Sequence, residues 1–288
     1  MKNKLSIVIP AKNEAIALGG LLEELRSAQP EAEIIVVDDG SNDHTAAIVE
    51  SCQCILVRHP YSKGNGAAIK SGVRRASGDW ILCMDADGQH QPSDIAKLLT
   101  KMDEGYDMVV GSRNHAGQAG LHRSLANGFY NKFSSWMTGQ QILDLTSGFR
   151  VFRADKFREF VYLLPNGFSY PTTSTMAFFR AGYSVGYVPI SVQRRIGKSH
   201  VRILRDGVRF LLIIFKIGTL FSPMKLFLPI SLSFLVAGLG LYGYTYLEQG
   251  RFTNMSALLL SNAVLIFLMG LVSEQITALM FSQRAPNE

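Results

Sequence analysis

Short apolar runs alternate with amphipathic stretches along residues 5–113, and this alternation predicts the fold of that part of the chain. Runs such as LSIVIP are too short for helices and end in polar or turn-forming residues, which is typical of buried strands. The predicted strands are residues 5–10, 33–40, 54–59, 79–87 and 107–113. The stretches between them carry apolar residues at helical spacing and predict helices at residues 15–28, 41–52, 64–77 and 92–102. Strands that alternate with helices predict an α/β fold with a mostly parallel sheet covered on both faces.

Two long apolar runs near the C-terminus predict a membrane hairpin. Residues 226–247 and 252–273 contain no charged residue, and about 20 apolar residues suffice to cross a bilayer as a helix. The alternative is a pair of helices buried in a protein core. Ahead of these runs, residues 201–221 mix spaced arginines with large apolar residues. This pattern predicts a helix at the membrane interface or, alternatively, a helix packed on the soluble domain.

The predicted domain organisation begins with a cytoplasmic domain. The apolar run at residues 5–9 is too short for a signal peptide and ends at Pro10. Basic residues are concentrated before the first apolar run, whereas the turn between the runs carries only Arg251, so both termini are expected on the cytoplasmic side. The predicted segments are a soluble domain at residues 1–200, an interfacial amphipathic helix at 201–225, the hairpin at 226–281 and a tail at 282–288.

Composition narrows the class of ligand. The chain has a net charge of +6, and a basic soluble part beside a membrane favours anionic headgroups, phosphates or nucleotides. No basic stripe with interleaved aromatic residues occurs, so nucleic acid is not an expected partner. The cysteines at 52, 54 and 83 are interpreted as reduced thiols without a metal. Five histidines are interpreted as surface or turn residues: His44, His59, His90, His115 and His122.

Polar residues follow four of the predicted strands. They are Pro10-Ala-Lys-Asn-Glu14, Asp38-Asp39-Gly40-Ser41, Asp85-Ala86-Asp87 and Gly111-Ser-Arg113. Any one of these groups alone could serve as a turn or a helix cap. In a parallel sheet, however, ligands bind outside the carboxyl ends of the strands. The four groups together therefore predict one functional site at that edge.

The sequence Asp85-Ala86-Asp87 predicts a divalent cation. Two carboxylates two residues apart in a turn can face the same side, and they suit a hard cation that also binds phosphate oxygens. Mg²⁺ or Mn²⁺ is expected, because no His/Cys cluster for zinc is present in the sequence. Gly88 would let the backbone turn after the second carboxylate.

The ordered set of motifs resembles the family 2 glycosyltransferases, and most closely the polyprenyl- or dolichyl-phosphate hexosyltransferases. The matching segments are IVIPAKNE (7–14), VVDDGSNDHT (36–45), KGNGAAIKSG (63–72), MDADGQHQP (84–92), GSR (111–113), TSGFRVF (146–152) and RRIGKSH (194–200). The resemblance covers about residues 4–215, and the two apolar runs fit the bacterial membrane-anchored members. It implies a GT-A-type fold, a nucleotide-diphospho-sugar donor and inversion at the anomeric carbon.

The resemblance also implies roles for individual residues on the donor side. Pro10, Asn13 and Glu14 match the first nucleotide contact of the family, and Asp38 and Asp39 match the contact to base and ribose. The Asp85-Ala86-Asp87 motif matches the metal and diphosphate motif, with Gln89 within reach of the metal. Arg194 matches an arginine in a late loop that closes over the diphosphate. Where that loop often carries a lysine after its serine, this chain has His200, with Lys198 nearby.

On the acceptor side, Arg113 and Arg123 match the arginines that the family directs toward the acceptor phosphate and the donor. A phosphate monoester has a second pKa of about 6 and is already anionic near neutral pH. It needs positioning rather than a general base, and arginine positions phosphate well. Asp144 has two interpretations that stay open: it orients the acceptor, or it is a cap or a partner for Arg150.

The leading functional hypothesis is transfer of a hexose to undecaprenyl or a related polyprenyl phosphate at the bacterial inner membrane. UDP-glucose is the first choice of donor and GDP-mannose the second. One alternative is transfer to a lipid hydroxyl or a polysaccharide, and another is a catalytically silent membrane scaffold. Glycines at 238, 240 and 243 could pack helices between subunits, and the resemblance suggests a homo-oligomer such as a tetramer.

Overall fold

The computed structural model describes residues 3–113, 121–167, 169–192, 215–216 and 218–282. The chain divides into two compact units, Met1–Val201 and Arg202–Glu288. Most of the segment predicted as an interfacial helix, residues 201–214 and 217, lies outside the described residues, as do Arg194, Lys198 and His200. The domain boundaries given above therefore stay predictions.

The first unit is built on one seven-stranded sheet. Its strands are β1 (Leu5–Ala11), β2 (Glu33–Asp38), β3 (Ile55–Arg58), β4 (Trp80–Cys83), β5 (Met108–Arg113), β6 (Arg150–Arg153) and β7 (Val185–Ile190). Their order across the sheet is β3-β2-β1-β4-β6-β5-β7. Only β6 runs antiparallel to its neighbours among these strands, so the prediction of a mostly parallel sheet is confirmed.

Helices connect the strands much as the hydrophobic pattern predicts. They are α1 (Ala15–Ala28), α2 (Thr45–Ser51), α3 (Asn65–Arg75), α4 (Ile95–Asp103), α5 (Leu121–Thr138), α6 (Ala154–Phe160) and α7 (Tyr170–Arg180), with short 3₁₀ turns at Pro92–Asp94 and Val161–Leu163. The predicted helix at 41–52 begins later, because residues 41–44 form a turn in which the Asp43 carboxylate accepts hydrogen bonds from Thr45.

The core lies on both faces of the sheet. Side chains alternate across a strand, so Ile7 and Ile9 face one layer while Val8 faces the other. On the first face, Leu18 and Leu22 of α1 belong to the same buried cluster as Ile7 and Ile9. On the second face, Gly72 of α3 lies directly against Val8, and any Cβ there would collide with it. Full burial of such apolar side chains contributes roughly 1.5–3 kcal/mol each and fixes the sheet between its helices.

Strand β6 determines which later segment reaches the predicted site. Its first residue, Arg150, is opposite Cys83 at the end of β4 and opposite Val110 in β5. Because β6 runs antiparallel, its beginning lies at the edge where β4 and β5 end. The segment that precedes it, residues 144–149, is therefore brought to the carboxyl edge of the parallel strands.

The second unit contains a helical hairpin formed by α8 (Pro223–Gln249) and α9 (Asn254–Ser282). Both helices are long and apolar enough to cross a membrane, with mean hydropathies of 1.8 and 2.2. In the most apolar 18-residue stretch of each helix, only 11% and 17% of the stretch is buried. The helices of a soluble core, in contrast, are mostly buried. Ser231 donates a hydrogen bond to the carbonyl of Ala263 at 2.8 Å. The Glu274 carboxylate accepts the backbone N–H of Met224 at 3.3 Å, which satisfies a donor in the first turn of α8.

Candidate active site

The predicted polar groups converge on one edge of the sheet. Asp38 is the last residue of β2, and Arg113 is the last residue of β5. Asp85 and Asp87 follow the end of β4 at Cys83. The prediction that this strand extends to Asp87 is wrong, since the backbone leaves the ladder after Cys83 and turns. Gly88 completes the turn with a φ of +70°, a conformation that glycine adopts without strain.

The turn after β4 holds its carboxylates in a restricted environment. Asp85 is half-buried, and Asp87 is only 8% exposed. The backbone N–H of Gln89 donates to Asp87 Oδ1 at 3.2 Å, which orients that carboxylate. Ala86, between them, is buried. The two acids are therefore presented by a short, well-packed turn.

The segment before β6 packs directly on this turn. A Cβ at Gly148 would lie 2.7 Å from Asp85 Oδ2, so a larger residue there would have to displace that carboxylate. The Phe149 ring stacks on His90 with centroids 4.9 Å apart. Burial lowers the pKa of His90 to about 4, against the opposing charge of Asp87, so the imidazole is neutral near pH 7. His90 lies in the bend that follows β4, but it is only 6% exposed, so its interpretation as a surface residue is wrong.

Arg113 is held by Asp144 from the same segment. Its Nε and Nη2 donate to the two carboxylate oxygens at 2.8 and 2.9 Å, and Nη2 also donates to Thr146 Oγ1 at 2.6 Å. Burial by itself would raise the pKa of Asp144, but the Arg113 guanidinium lowers it below its ordinary value. The same pair raises the pKa of Arg113 against the opposing effect of burial, with a further contribution from Asp85. Both side chains are thus charged near neutral pH.

Asp144 does not pair with Arg150, which corrects one of its two open interpretations. Its Oδ1 accepts the backbone N–H groups of Thr146 and Ser147, both at 3.1 Å, so it stabilises the turn before β6; in the described residues no helix begins there for it to cap. Arg150 is fully buried and donates instead to carbonyl and hydroxyl oxygens of Ser147, Pro171, Ser174 and Thr175. No carboxylate of the described residues lies within ion-pair distance of it.

The loop after β1 is tied to the loop after β2. Asn13 adopts a φ of +55°, and its Oδ1 accepts the backbone N–H of Asn42 at 2.9 Å. In return, Ser41 Oγ accepts the N–H of Asn13 at 2.9 Å. Glu14 donates its N–H to Thr45 Oγ1 at 3.1 Å. These reciprocal contacts hold Pro10, at the end of β1, beside the two aspartates of β2.

Asp38, the last residue of β2, and Asp39, which follows it, have different surroundings. Asp38 Oδ1 accepts the N–H of Ser41 at 2.9 Å. Its Oδ2 is buried and has no hydrogen-bond donor among the described residues, although the exposed Arg58 lies 3.6 Å away. Asp39 accepts four hydrogen bonds, from His59, Ser62 and the backbone of Lys63 and Gly64. His59 is 5% exposed, so its interpretation as a surface or turn residue is also wrong.

The amino end of α3 is not arranged to bind a phosphate. Its first N–H groups donate to backbone carbonyls: Gly66 to Gly167 at 3.0 Å and Ala67 to Asn166 at 2.9 Å. A Cβ at Gly64 would lie 2.5 Å from the Asn166 carbonyl oxygen. The glycines of KGNG therefore allow close packing of two backbones, rather than the approach of a ligand.

The carboxylates fit a cation that shares its coordination with a substrate. The described residues contain no group of three or more His, Cys, Asp or Glu side chains that could hold a metal alone. Asp85, Asp87 and the amide oxygen of Gln89 are oxygen donors, which suit Mg²⁺ or Mn²⁺ better than zinc. Such cations usually keep several sites for water and phosphate, so a partial protein shell agrees with a diphosphate-bound metal.

A separate cleft of about 550 Å³ lies at the opposite edge of the sheet. Its lining includes Trp80, the first residue of β4, together with Ser77 and Arg158. None of the predicted site residues lines it. We assign the candidate site to the carboxyl edge because the predicted motif residues meet there and because Asp38 Oδ2 is buried there without a hydrogen-bond donor among the described residues.

The structure therefore brings together most, but not all, of the predicted residues. Arg123 belongs to α5, but its side chain is outside the described part of the structure, as are Arg194, Lys198 and His200. Sequence reasoning missed Gly148, Phe149 and the buried His59. The motif TSGF was a usable signal for the first two, since a glycine beside an aromatic residue in a polar segment is typical of close packing.

Comparison with known proteins agrees with this geometry. A family model described as glycosyl transferase family 2 matches residues 6–161, and one described as the GtrB C-terminal hairpin matches residues 222–279. Polyprenol monophosphomannose synthase of Mycolicibacterium smegmatis is 30% identical over 67% of this chain and 79% of its own length. Undecaprenyl-phosphate mannosyltransferase of Micrococcus luteus is 31% identical over 67% of this chain and 85% of its own.

Solved structures confirm the fold. Glucosyl-3-phosphoglycerate synthase of Mycobacterium tuberculosis, in complex with Mn²⁺, UDP-glucose and phosphoglyceric acid, superposes with a TM-score of 0.61. The match covers 75% of this chain and 79% of that protein at 18% identity, so it shows the GT-A-like α/β fold alone. From the family model, the relatives and the fold together, the chain belongs to glycosyl transferase family 2 and is a glycosyltransferase.

Proposed function

We propose that this glycosyltransferase moves a hexose from a nucleotide-diphospho-sugar to polyprenyl phosphate, with inversion at the anomeric carbon. One observation carries the proposal: residues 144–149 contact both halves of the site. Gly148 abuts Asp85 on the donor side, and Asp144 holds Arg113 on the acceptor side. The names of the two bacterial relatives, which act on polyprenol and undecaprenyl phosphate, support the acceptor.

The donor would bind across the ends of β1, β2 and β4. Asp85, Asp87 and Gln89 would hold Mg²⁺ or Mn²⁺, which when bound neutralises charge on the diphosphate leaving group. The nucleoside would contact Pro10, Asn13, Glu14, Asp38 and Asp39, and the late loop with Arg194, Lys198 and His200 would complete the diphosphate site. The Mn²⁺ found with UDP-glucose in the Mycobacterium tuberculosis structure supports a divalent cation.

The acceptor chemistry suits a phosphate better than a hydroxyl. A phosphate oxygen attacks the anomeric carbon, a new carbon–oxygen bond forms, and the bond to the nucleoside diphosphate breaks with its electron pair leaving on that diphosphate. No proton has to be removed, because the monoester is anionic near neutral pH. A hydroxyl acceptor would need a general base, and Asp144 is a poor base since Arg113 lowers its pKa and occupies both oxygens.

Arg113 retains donors for an anion. The hydrogen bonds to Asp144 and Thr146 use Nε and Nη2, and its Nη1 donates to none of the described residues. A guanidinium held on one side by a carboxylate presents its remaining N–H groups in a fixed direction. We assign these groups, together with Arg123, to the acceptor phosphate.

The proposal also includes the location and the donor. We expect a multi-pass protein of the bacterial cell membrane, anchored by α8 and α9, with the catalytic domain and both termini in the cytoplasm and with a homo-oligomeric assembly. UDP-glucose is the first donor to test and GDP-mannose the second.

The test is transfer from radiolabelled UDP- and GDP-sugars to undecaprenyl phosphate by the full chain in detergent, with Mg²⁺ or Mn²⁺. Asp87→Asn is the matched control, since it keeps the side-chain size and removes the charge. The expected result is a labelled lipid from which mild acid releases the labelled sugar. The wild type should make this lipid, and the variant should make at least about 100-fold less. Sugar release without a lipid product, or label on diacylglycerol, would overturn the phosphate acceptor.

A further inference from the structure

A buried histidine joins the loops after β2 and β3. His59 Nδ1 lies 2.7 Å from Asp39 Oδ1, and its Nε2 lies 2.9 Å from Ser71 Oγ on α3. The backbone N–H of His59 donates to the Asp38 carbonyl at 2.9 Å. With only 5% of its surface exposed, the ring connects an aspartate of the candidate donor site to a helix of the core.

Asp39 is oriented completely by this connection and its neighbours. Oδ1 accepts from His59 and from the Lys63 N–H at 2.8 Å, and Oδ2 accepts from Ser62 Oγ and the Gly64 N–H, both at 2.8 Å. A carboxylate has about four lone-pair directions, and here each is used. Burial would raise the pKa of Asp39, but these hydrogen bonds lower it to about 2. Because Asp39 is ionised, its Oδ1 is an acceptor and His59 Nδ1 donates to it, while Nε2 shares a hydrogen bond with Ser71 Oγ.

The two loops also meet backbone to backbone. Gly40 has a φ of +70°, and a Cβ there would lie 2.8 Å from the Ser62 nitrogen and from the Tyr61 carbonyl carbon. The loop after β3 is thus pressed against the turn that begins with Asp38. Since the N–H groups at the start of α3 are bound to residues 166 and 167, the helix that carries Ser71 is fixed as well. His59 therefore connects the two loops to α3 through Ser71.

The order Asp39–His59–Ser71 matches that of a hydrolytic triad, but the position of the serine argues against a nucleophile. Ser71 is in the middle of α3 (Asn65–Arg75), where backbone N–H groups are used in helical hydrogen bonds. An oxyanion needs free donors beside the nucleophile, and the interior of a helix does not offer them.

We propose that His59 is a positioning residue for the donor nucleotide, which it does not touch, and that it acts by holding Asp39 and the 61–64 loop. The inference rests on the proposed donor site. Its chemistry is that of an outer-layer partner: the imidazole fixes a carboxylate, and the carboxylate in turn fixes a loop beside the nucleoside. Because His59 touches neither the sugar nor the acceptor in this arrangement, we expect its loss to weaken nucleotide binding.

The test compares three substitutions in the full chain. His59→Phe keeps a ring and removes both hydrogen bonds, His59→Asn keeps a donor near Asp39, and Ser71→Ala removes only the far partner. The exposed His44 supplies the control, His44→Phe. Binding of UDP and GDP is measured by calorimetry with Mn²⁺, together with KM for donor, KM for undecaprenyl phosphate and kcat. Circular dichroism verifies that each variant is folded.

The expected result is a split between donor and acceptor parameters. His59→Phe should raise the nucleotide Kd and the donor KM about tenfold, as for the loss of one to two hydrogen bonds. His59→Asn should recover part of this loss, and Ser71→Ala should show a smaller effect. Lipid KM and kcat at saturating donor should stay within about twofold of the wild type.

Several outcomes would overturn the inference. These are an unchanged nucleotide Kd in folded His59→Phe and Ser71→Ala, an equal rise of both KM values, or labelling of Ser71 by a fluorophosphonate probe. A wild-type protein that binds neither nucleotide would instead refute the proposed donor site. The two failures are therefore distinguishable.

Discussion

Gly148 and Asp85 are in direct contact across the candidate site. The Cα of Gly148 lies so close to the carboxylate that an added Cβ would be 2.7 Å from Oδ2. The segment that holds Arg113 thereby also limits where Asp85 can point. The segment at residues 144–149 therefore links the position of Asp85, on the proposed donor side, to the position of Arg113, on the proposed acceptor side.

Gly148→Ala should impair catalysis while leaving the fold intact. The new methyl group must displace the Asp85 carboxylate, and a displacement near 1 Å can reduce kcat/KM about 100-fold. Initial rates over a range of Mn²⁺ concentrations would detect this. Gly20→Ala, at a helix position where a Cβ meets nothing within 4 Å, should keep wild-type rates. Equal activity of the two variants would contradict the importance of the contact.

Asp144→Asn should weaken the binding of the lipid acceptor more than the binding of the nucleotide-sugar donor. The amide cannot accept both guanidinium hydrogen bonds, so Arg113 loses its fixed direction, and charge-assisted bidentate pairs are among the strongest contacts of this kind. We expect the KM for undecaprenyl phosphate to rise about tenfold with little change in donor KM. Steady-state kinetics with each substrate varied would measure this. A rise confined to the donor KM would show that Arg113 serves the other substrate.

Arg150→Met should destabilise the soluble domain. Arg150 is fully buried, and its loss leaves carbonyl and hydroxyl groups without a donor, at about 1–3 kcal/mol for each unsatisfied group. Urea unfolding followed by near-UV circular dichroism should show a clear decrease in the midpoint. Arg153→Met, on the same strand, replaces a side chain that is 49% exposed and should change the midpoint little.

Acid should weaken the contact between the β2 and β3 loops. A carboxyl whose pKa in the folded protein is lowered stabilises the fold fully above its ordinary pKa, and this contribution is lost as pH falls through the folded value. For Asp39 the pKa falls from 3.8 to about 2, so the window is between these values. The contribution is about 2 kcal/mol. Unfolding free energies measured from pH 2 to 6 should depend less on pH in Asp39→Asn.

The hairpin offers a matched pair of glycines. A Cβ at Gly270 would lie 2.7 Å from the Cβ of Phe227, whereas one at Gly240 meets nothing within 4 Å. Gly270→Ala should therefore lower the free energy of unfolding of the hairpin in detergent by roughly 1–3 kcal/mol, and Gly240→Ala should leave it unchanged. If Gly240→Ala instead breaks an oligomer seen by light scattering, Gly240 packs between subunits rather than within one chain.

The helices and strands that depend on the periodicity of neighbouring residues could be predicted from the amino-acid pattern. The run from Leu5 to Pro10 is short and almost wholly apolar, which is typical of a strand buried on both faces, and α1 repeats leucines on one face; both are patterns of neighbouring residues. The apolar runs in α8 and α9 are equally local, since length and composition define them. The carboxylates of Asp85 and Asp87 belong to the same class, because chain order fixes their position after β4.

Tertiary packing determines which distant segment meets these elements. Strand β6 is four residues long with arginine at both ends, too short and too polar for a periodic signal, and its antiparallel insertion depends on pairing with β4 and β5. That pairing carries Asp144 to Arg113 and Gly148 to Asp85. The burial of His59 likewise arises from packing between two loops and α3. Such contacts join residues far apart in the chain, and local periodicity contains no information about them.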